Sequence, residues 1–387
     1  MKKLQFIIFI LSILIHLSFY VSSYFTHTFN IFFEHVTMGQ DFFSVPNAAY
    51  SFLHGGTLTG ELPIGIASYI NCCGVNSNVY HPLFTLLIGL PLQLFQPWTA
   101  FGIWGALHLV ASIVIVTFLW KKFRHHKYLY FALSFYLLNS YHYYEIQHAQ
   151  YHFLVSLFTV FFLYEAEIKG DTRLAGVWYF LGLLIKPLGL LWIFPLVIYK
   201  RFQTSLIGLG IYILVSIPFL ILPIGNYFFN NLFYRVDHQA STYNLFALTE
   251  FFPIQAEIIK YLAISLALLL LIFQFVVKPK FFSIIFLWIS FQLIFYSLIF
   301  HYHYSILASL ICLGILLNVI ELKNPLALLS SVMLTIPTPI IFFHLSGDPD
   351  ILPTQHLSMV ALWSIFWLTM LCAYIITSSF RKSSLKV

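Results

Sequence analysis

The sequence predicts an all-α polytopic membrane protein, and three observations carry this prediction. The 387 residues are 60% apolar and only 8% charged, with a mean hydropathy of +0.88, values that a soluble domain does not sustain. The apolar residues form runs of roughly 20 residues, the length needed to cross a hydrocarbon core. Basic residues flank these runs in short clusters. We therefore expect a bundle of about 10–12 transmembrane helices joined by outer-face loops.

The basic residues predict the orientation of the bundle. Sixteen of the nineteen Lys and Arg residues, all except Lys186, Arg235 and Lys260, can be placed on one side of the membrane. They lie at 2–3, 121–127, 169–173, 200–201, 278–280, 323 and 381–386. The positive-inside rule makes this side cytoplasmic, with both termini. The outer face then holds nine of the thirteen acidic residues, and we expect the chemistry there.

Ten apolar runs are predicted to span the membrane. They are 4–24, 99–120, 128–145, 149–165, 204–223, 257–277, 281–300, 303–320, 325–344 and 357–379. The first run could be a signal peptide, but its length favours a span. Residues 82–96 lie between prolines, and an interfacial or re-entrant helix keeps the next basic cluster inside. Residues 174–199 have basic residues at both ends, which predicts a hairpin of two short helices broken at Lys186–Pro187.

The chain is predicted to form a single transmembrane domain over residues 1–387. Its first outer loop covers about residues 25–81, and smaller outer segments cover 224–256 and 345–356. The net charge of +6 is dispersed among helix flanks, so we expect no nucleic acid partner. The four cysteines form no ligand pattern, and we expect no structural metal and no cofactor.

Three charged residues on the outer side are candidates for chemistry, each with a structural alternative. Asp41 precedes an apolar segment, where it would serve catalysis or cap a helix. Lys186 lies within a membrane segment, where a charge usually faces a functional cavity or an ion-pair partner. Arg235 would bind a substrate or pair locally with Asp237.

A second group of candidates is aromatic and polar. His301 and His303 are two residues apart, a spacing that only weakly supports a zinc site. They would donate hydrogen bonds to a polar substrate group or anchor the chain in the aromatic belt. The segment 141–152, which includes Gln150, could bind sugar by stacking and hydrogen bonding. For the tyrosines of this segment we favour the alternative that they belong to the aromatic belt at the membrane surface.

Five segments, taken in order, resemble the GT-C glycosyltransferases, and most closely the polyprenyl-phosphate-mannose-dependent α-mannosyltransferases of glycosyltransferase family 87. The segments are Asp41-Phe42-Phe43-Ser44 through Ala48-Ala49 to Leu53-His54-Gly55-Gly56, Tyr80-His81-Pro82-Leu83, His148-Ala149-Gln150-Tyr151, Ala175-Gly176 to Ile185-Lys186-Pro187-Leu188, and His301 to Tyr304. The resemblance covers roughly residues 30–305. Gln150 is the clearly retained residue of its segment, and the acidic residue that often precedes the histidine segment is absent.

The resemblance implies an inverting hexosyltransferase with a GT-C-like bundle and an outer cavity that a lipid-linked donor enters laterally. It implies Asp41 as the general base and transfer of a hexose, mannose by expectation, from a polyprenyl-phosphate carrier to a lipid or glycan acceptor. Lys186, Arg235 and His303 are the candidates on the outer face for binding the departing phosphate, and Gln150 is a candidate for binding substrate. We expect an integral multi-pass protein of a bacterial inner or plasma membrane, or of an endoplasmic-reticulum-type membrane, in contact with membrane lipids.

Displacing a phosphate by an alcohol needs one base and a few cationic groups, and no second carboxylic acid. Two alternatives remain open. A lipid-linked glycan ligase or polymerase would share the cavity but take a larger donor. A lipid or solute transporter would favour inverted repeats and charges along a continuous path, whereas here the charges gather at one face.

Overall fold

The computed structural model describes residues 2–26, 40–58, 80–222, 228–229, 244–250, 255–296, 299, 301–335 and 353–384. Within them the chain is helical and contains no strand, which confirms the all-α polytopic prediction. The principal helices are α1 (Lys2–Val21), α2 (Gln40–Leu53), α3 (Pro82–Leu92), α4 (Pro97–Lys122), α5 (Leu129–Leu137), α6 (Ser140–His148), α7 (His152–Ile168), α8 (Arg173–Ile185), α9 (Ile193–Ile198), α10 (Phe202–Ser205), α11 (Ile211–Ile221), α12 (Ala256–Val276), α13 (Phe281–Phe295), α14 (Ile306–Leu316), α15 (Pro325–Met333) and α16 (Pro353–Ser384).

Five helices in the described ranges are long and apolar enough to cross a membrane. They cover Lys3–Tyr24, Pro97–Lys122, Phe202–Ile221, Ala256–Val276 and Ala361–Arg381. Their outward faces carry large exposed apolar side chains, for example Leu214 and Val276, as lipid contact requires. Helix α3 has 11 residues, about 16 Å, which is too short to span. This agrees with the interfacial or re-entrant prediction for residues 82–96.

The predicted span 128–145 is not one continuous helix, because two short helices cover it. Helix α5 ends at Leu137, and Asn139 begins α6 by accepting a hydrogen bond from the Tyr141 amide. The Asn139 amide group also donates to the Leu334 carbonyl at 3.1 Å. The polar side chain of Asn139 thus interrupts the apolar run, and it also binds the Leu334 carbonyl on a segment that is distant in the sequence. The predicted span 325–344 is described as α15, and its later residues lie outside the described ranges.

The basic loops lie together at one end of the bundle. Arg201 donates to the Ala166 carbonyl and covers the Phe281 ring. The Lys280 ammonium donates to the Leu317 carbonyl at 3.1 Å. These contacts link loops that are far apart in sequence. One-sided charge is therefore a property of the fold, and we call this end the basic face.

The hairpin predicted over residues 174–199 is confirmed, with its break at Lys186. Helix α8 ends at Ile185, Lys186 is extended at φ −140°, and a 3-10 helix follows from Pro187 to Trp192. The Tyr179 hydroxyl donates to the Gly189 carbonyl at 2.8 Å. That bond joins the second limb to the middle of the first, so the chain has turned back. Proline cannot continue an α-helix, which places the turn there.

Candidate functional site

Lys186 is the cation at the centre of the candidate site. Its position in the break of the hairpin takes it out of the regular helix and leaves its side chain partly exposed. The ammonium lies 4.8 Å from the centre of the Tyr80 ring. The Tyr80 hydroxyl in turn donates to Gln150 Oε1 at 3.0 Å. Two predicted residues that are distant in the sequence are thus joined through one tyrosine.

Two histidines form the next wall of the site. The His152 and His303 rings meet edge to face with centroids 4.4 Å apart, and Tyr302 stacks on His303 at 4.6 Å. His152 is fully buried, and neither ring nitrogen has a hydrogen-bond partner among the described residues. Lys186 is close enough for its charge to act on His152. An orphaned imidazole beside a cation is able to hold a polar group from a ligand.

Asp41 lies in the first turn of α2, and its side chain is outside the described residues. The backbone next to it is fixed, since the Tyr151 hydroxyl donates to the Phe42 carbonyl at 2.8 Å. Tyr151 also meets Tyr80 edge to face at 4.7 Å. The first turn of α2 is therefore attached to the same turn of chain that carries Gln150.

The Phe42 carbonyl needs this outside donor because of Pro46. In an α-helix the carbonyl of residue 42 accepts from the amide of residue 46, and proline has no amide hydrogen. Phe42 is fully buried, so water cannot replace the missing donor. The proline in the sequence thus explains why a tyrosine hydroxyl reaches the start of α2.

The candidate site lies at the end of the bundle opposite the basic face. Helix α7 begins at His152 and ends at Ile168, just before a basic loop. Its 17 residues correspond to about 25 Å at ~1.5 Å per residue. Helix α4 runs between the same two ends, because the Trp104 indole donates to the Gln150 carbonyl while Lys122 ends the helix.

The structure describes some of the remaining predicted residues and not others. Arg235 lies outside the described residues. His301 begins a 3-10 helix that ends at Ser305, and its side chain is outside the described part. His303 is buried with the site. His81, from the family-like segment 80–83, caps α3 and bonds to Ser216 at 3.0 Å, a structural position.

The aromatic-belt interpretation of the segment 141–152 was wrong for two of its tyrosines. Tyr141 is fully buried and Tyr143 is 7% exposed, whereas a belt tyrosine would present its hydroxyl to the membrane surface. Both hydroxyls are used inside the bundle, Tyr141 with Ser364 and Tyr143 with the Leu137 carbonyl. Glu145, assigned from the sequence to the outer face, is also buried.

His152 is the functional candidate that sequence reasoning placed only in a general sugar-binding segment. The sequence feature that could have identified it is a polar histidine at the first position of an apolar helix. Its neighbours could not be read from the chain, since His303 lies far away in the sequence. Together the site offers a cation, an amide, two imidazoles and tyrosine rings. These groups suit a ligand that combines an anion with a polyhydroxylated ring.

Comparison with known proteins agrees with this chemistry. Residues 78–244 match the family model of Glycosyltransferase family 87. The match contains Tyr80, Gln150, His152 and Lys186, and it ends before His303. It confirms the resemblance to a GT-C superfamily glycosyltransferase. No curated protein matches the chain.

Proposed function

We propose that the chain is a membrane glycosyltransferase whose donor is a lipid-linked sugar, since residues 78–244 match a glycosyltransferase family and several of its helices are long and apolar enough to cross a membrane. In this proposal it transfers a hexose, mannose in the first instance, from a polyprenyl-phosphate donor to a lipid or glycan acceptor. The reaction takes place at the outer membrane face. The observation that carries the proposal is the partly exposed Lys186 against the Tyr80 ring, at the end opposite the basic face.

Charge supports a phosphate-bearing donor at this position. A lysine in a membrane segment is costly and usually faces a functional cavity or a charged group, and this ammonium lies against a tyrosine ring inside the bundle. A lipid phosphate arriving from the bilayer would be attracted to it. As the sugar leaves, negative charge builds on that phosphate, so Lys186 would stabilise the transition state more than the ground state.

The other residues take roles that follow from their chemistry. Gln150 and the two histidines, His152 and His303, would hold sugar hydroxyls or phosphate oxygens by hydrogen bonds. Asp41 would take the acceptor's proton as the new bond forms, the task of a general base. Arg235 and His301 would complete the phosphate and sugar contacts. The orientation rests on the positive-inside rule applied to the basic face.

The test is transfer by purified protein from radiolabelled polyprenyl-phosphate sugars to a membrane lipid extract. Lys186→Met keeps the apolar stem and removes the charge, and we expect turnover to fall by roughly 10²-fold or more. Lys260→Met is the matched control, because Lys260 is exposed on α12 and lies outside the site. Its turnover should match that of the unaltered protein.

Two results would refute the proposal. Equal turnover in the Lys186→Met and Lys260→Met proteins, at equal expression and thermal stability, would remove Lys186 from the reaction. Absence of transfer from every polyprenyl-phosphate sugar, with transfer from a lipid-linked oligosaccharide, would instead assign the larger donor of a ligase.

A further inference from the structure

A second cluster of ligand-type side chains lies behind the candidate site. His108 of α4 meets His142 and Glu145 of α6, and one ligand atom from each lies within 4.8 Å of the others. His142 and Glu145 are three residues apart on one helix face. A carboxylate oxygen of Glu145 is 3.5 Å from His142 Nδ1. None of these three residues belongs to the site around Lys186.

The cluster is fully enclosed and lacks ordinary partners. His108 and Glu145 have no exposed surface and His142 has 2%. Both nitrogens of His108 and both carboxylate oxygens of Glu145 have no hydrogen bond among the described residues. The Ser305 hydroxyl and the Phe153 amide lie near the carboxylate, but neither has the geometry of a hydrogen bond to it. Buried polar atoms almost always have partners, so this convergence of polar groups indicates a ligand.

The Ser112 contact of His142 is compatible with a tautomer in which Nδ1, the nitrogen nearest Glu145, carries no hydrogen. His142 Nε2 lies 3.5 Å from the Ser112 hydroxyl, which also contacts the hydroxyls of Tyr20 and Tyr136 at 3.4 Å. If Nε2–H is directed at Ser112, the lone pair of Nδ1 faces the Glu145 carboxylate. Two electron-rich atoms at that distance repel each other unless a metal cation or a proton lies between them. This is also the arrangement in which a histidine binds a metal while its other nitrogen is held by a hydrogen bond.

The donor types and the distance between His142 and Glu145 fit a divalent transition metal. Tetrahedral bonds of about 2.1 Å place two ligand atoms about 3.4 Å apart, close to the 3.5 Å observed between Nδ1 and the carboxylate oxygen. Two imidazoles and one carboxylate form the donor set of many zinc sites, with a fourth position open to water or substrate. The same set also accepts iron or manganese. A hard cation such as Mg²⁺ would prefer oxygen ligands.

We propose that His108, His142 and Glu145 bind one divalent transition metal ion, with zinc as the ion to be tested first. The ion would join α4 to α6 inside the membrane bundle. Its effect would reach the candidate site, because the Glu145 carbonyl accepts from the Gln150 amide at 3.1 Å and His108 stacks on Phe153 at 4.3 Å. The proposal is independent of the sugar donor, since its readout is metal content.

The experiment is metal analysis of the purified full chain. The protein is isolated in detergent through a peptide affinity tag that uses no metal resin, incubated with Zn²⁺, washed, and measured by inductively coupled plasma mass spectrometry. We expect about one equivalent of zinc per chain. His108→Gln and Glu145→Gln should each reduce this content by about tenfold or more. His125→Gln and Glu165→Gln, at positions outside the cluster, should retain it.

Thermal unfolding of the unaltered protein gives a second readout that does not depend on any variant folding. A metal that binds only the folded state raises the unfolding midpoint, and a chelator reverses the rise. Zinc content at the detergent background after incubation, or a midpoint insensitive to both zinc and chelator, would overturn the proposal. Equal zinc content in the cluster variants and their controls would overturn it as well. The cluster would then hold a proton on Glu145 instead of a metal.

Discussion

Replacing Tyr151 with phenylalanine should destabilise the protein through the loss of a single hydroxyl. That hydroxyl donates to the Phe42 carbonyl at 2.8 Å, and Pro46 has eliminated the helical amide that would otherwise donate there. The ring packing survives, because phenylalanine keeps the contacts with Trp104 and Tyr80. The change therefore removes the hydroxyl and keeps the ring.

The magnitude follows from burial. Phe42 and Tyr151 are both fully buried, so the carbonyl loses its donor with no water to replace it. Leaving a buried acceptor unsatisfied costs ~1–3 kcal/mol of the free energy of unfolding. Turnover should fall too, since the first turn of α2 carries Asp41 and loses its attachment to the turn that carries Gln150.

The decisive assay is a double-mutant cycle with Pro46→Ala, measured by reversible unfolding in mixed micelles. Alanine restores an amide at position 46, so the Phe42 carbonyl regains a donor within its own helix. In that background Tyr151→Phe should cost less, by about 1 kcal/mol or more. Tyr143→Phe is the control for loss of a tyrosine hydroxyl away from Pro46, because its hydroxyl donates at 2.8 Å to the Leu137 carbonyl, which His16 Nδ1 also contacts at 3.2 Å. Its cost should be the same in both backgrounds.

An equal cost of Tyr151→Phe with and without Pro46 would refute the reasoning. The Tyr151 bond would then be an ordinary tertiary contact, and the proline would have no part in its role.

Three further predictions test other parts of the molecule. Asp41→Asn should lower transfer by ~10²- to 10⁴-fold with donor binding and stability retained if Asp41 is the base, whereas a helix cap would tolerate asparagine, so retained turnover would exclude the catalytic role. In a chain without its native cysteines, an impermeant thiol reagent added outside should label a cysteine at position 60 and not one at position 125, and the reverse pattern would invert the orientation. Burial tends to raise the pKa of Asp171, but the backbone amides of Thr204 and Gln203 donate to its carboxylate at 2.7 and 2.9 Å and hold the pKa below its ordinary value of 3.8. The stabilising contribution of the Asp171 carboxylate should therefore be complete above pH 3.8 and be lost as the pH falls through the lowered pKa. The difference in stability between the unaltered protein and Asp171→Asn should shrink over this pH interval. A difference that stays constant would contradict the assignment.

The sequence by itself determined the class of protein, the clustering of the basic loops at one end of the bundle, and the break at Lys186. Each of these follows from composition or from a single residue acting locally. Apolar runs must be helical in lipid because every backbone group needs an internal partner. Proline after Lys186 ends a helix wherever it occurs. These features do not depend on which helix packs against which.

Only the tertiary structure decided which side chains meet. Tyr80 links Lys186 to Gln150, and His303 reaches His152, although no local pattern marks either pairing. The tyrosines of the segment 141–152 looked interfacial because enrichment of tyrosine is common to membrane surfaces and to buried polar clusters. The two cases differ only in the partners of the hydroxyl, and those partners come from distant helices. The cluster of His108, His142 and Glu145 was hidden for the same reason, since His108 lies on a different helix from His142 and Glu145.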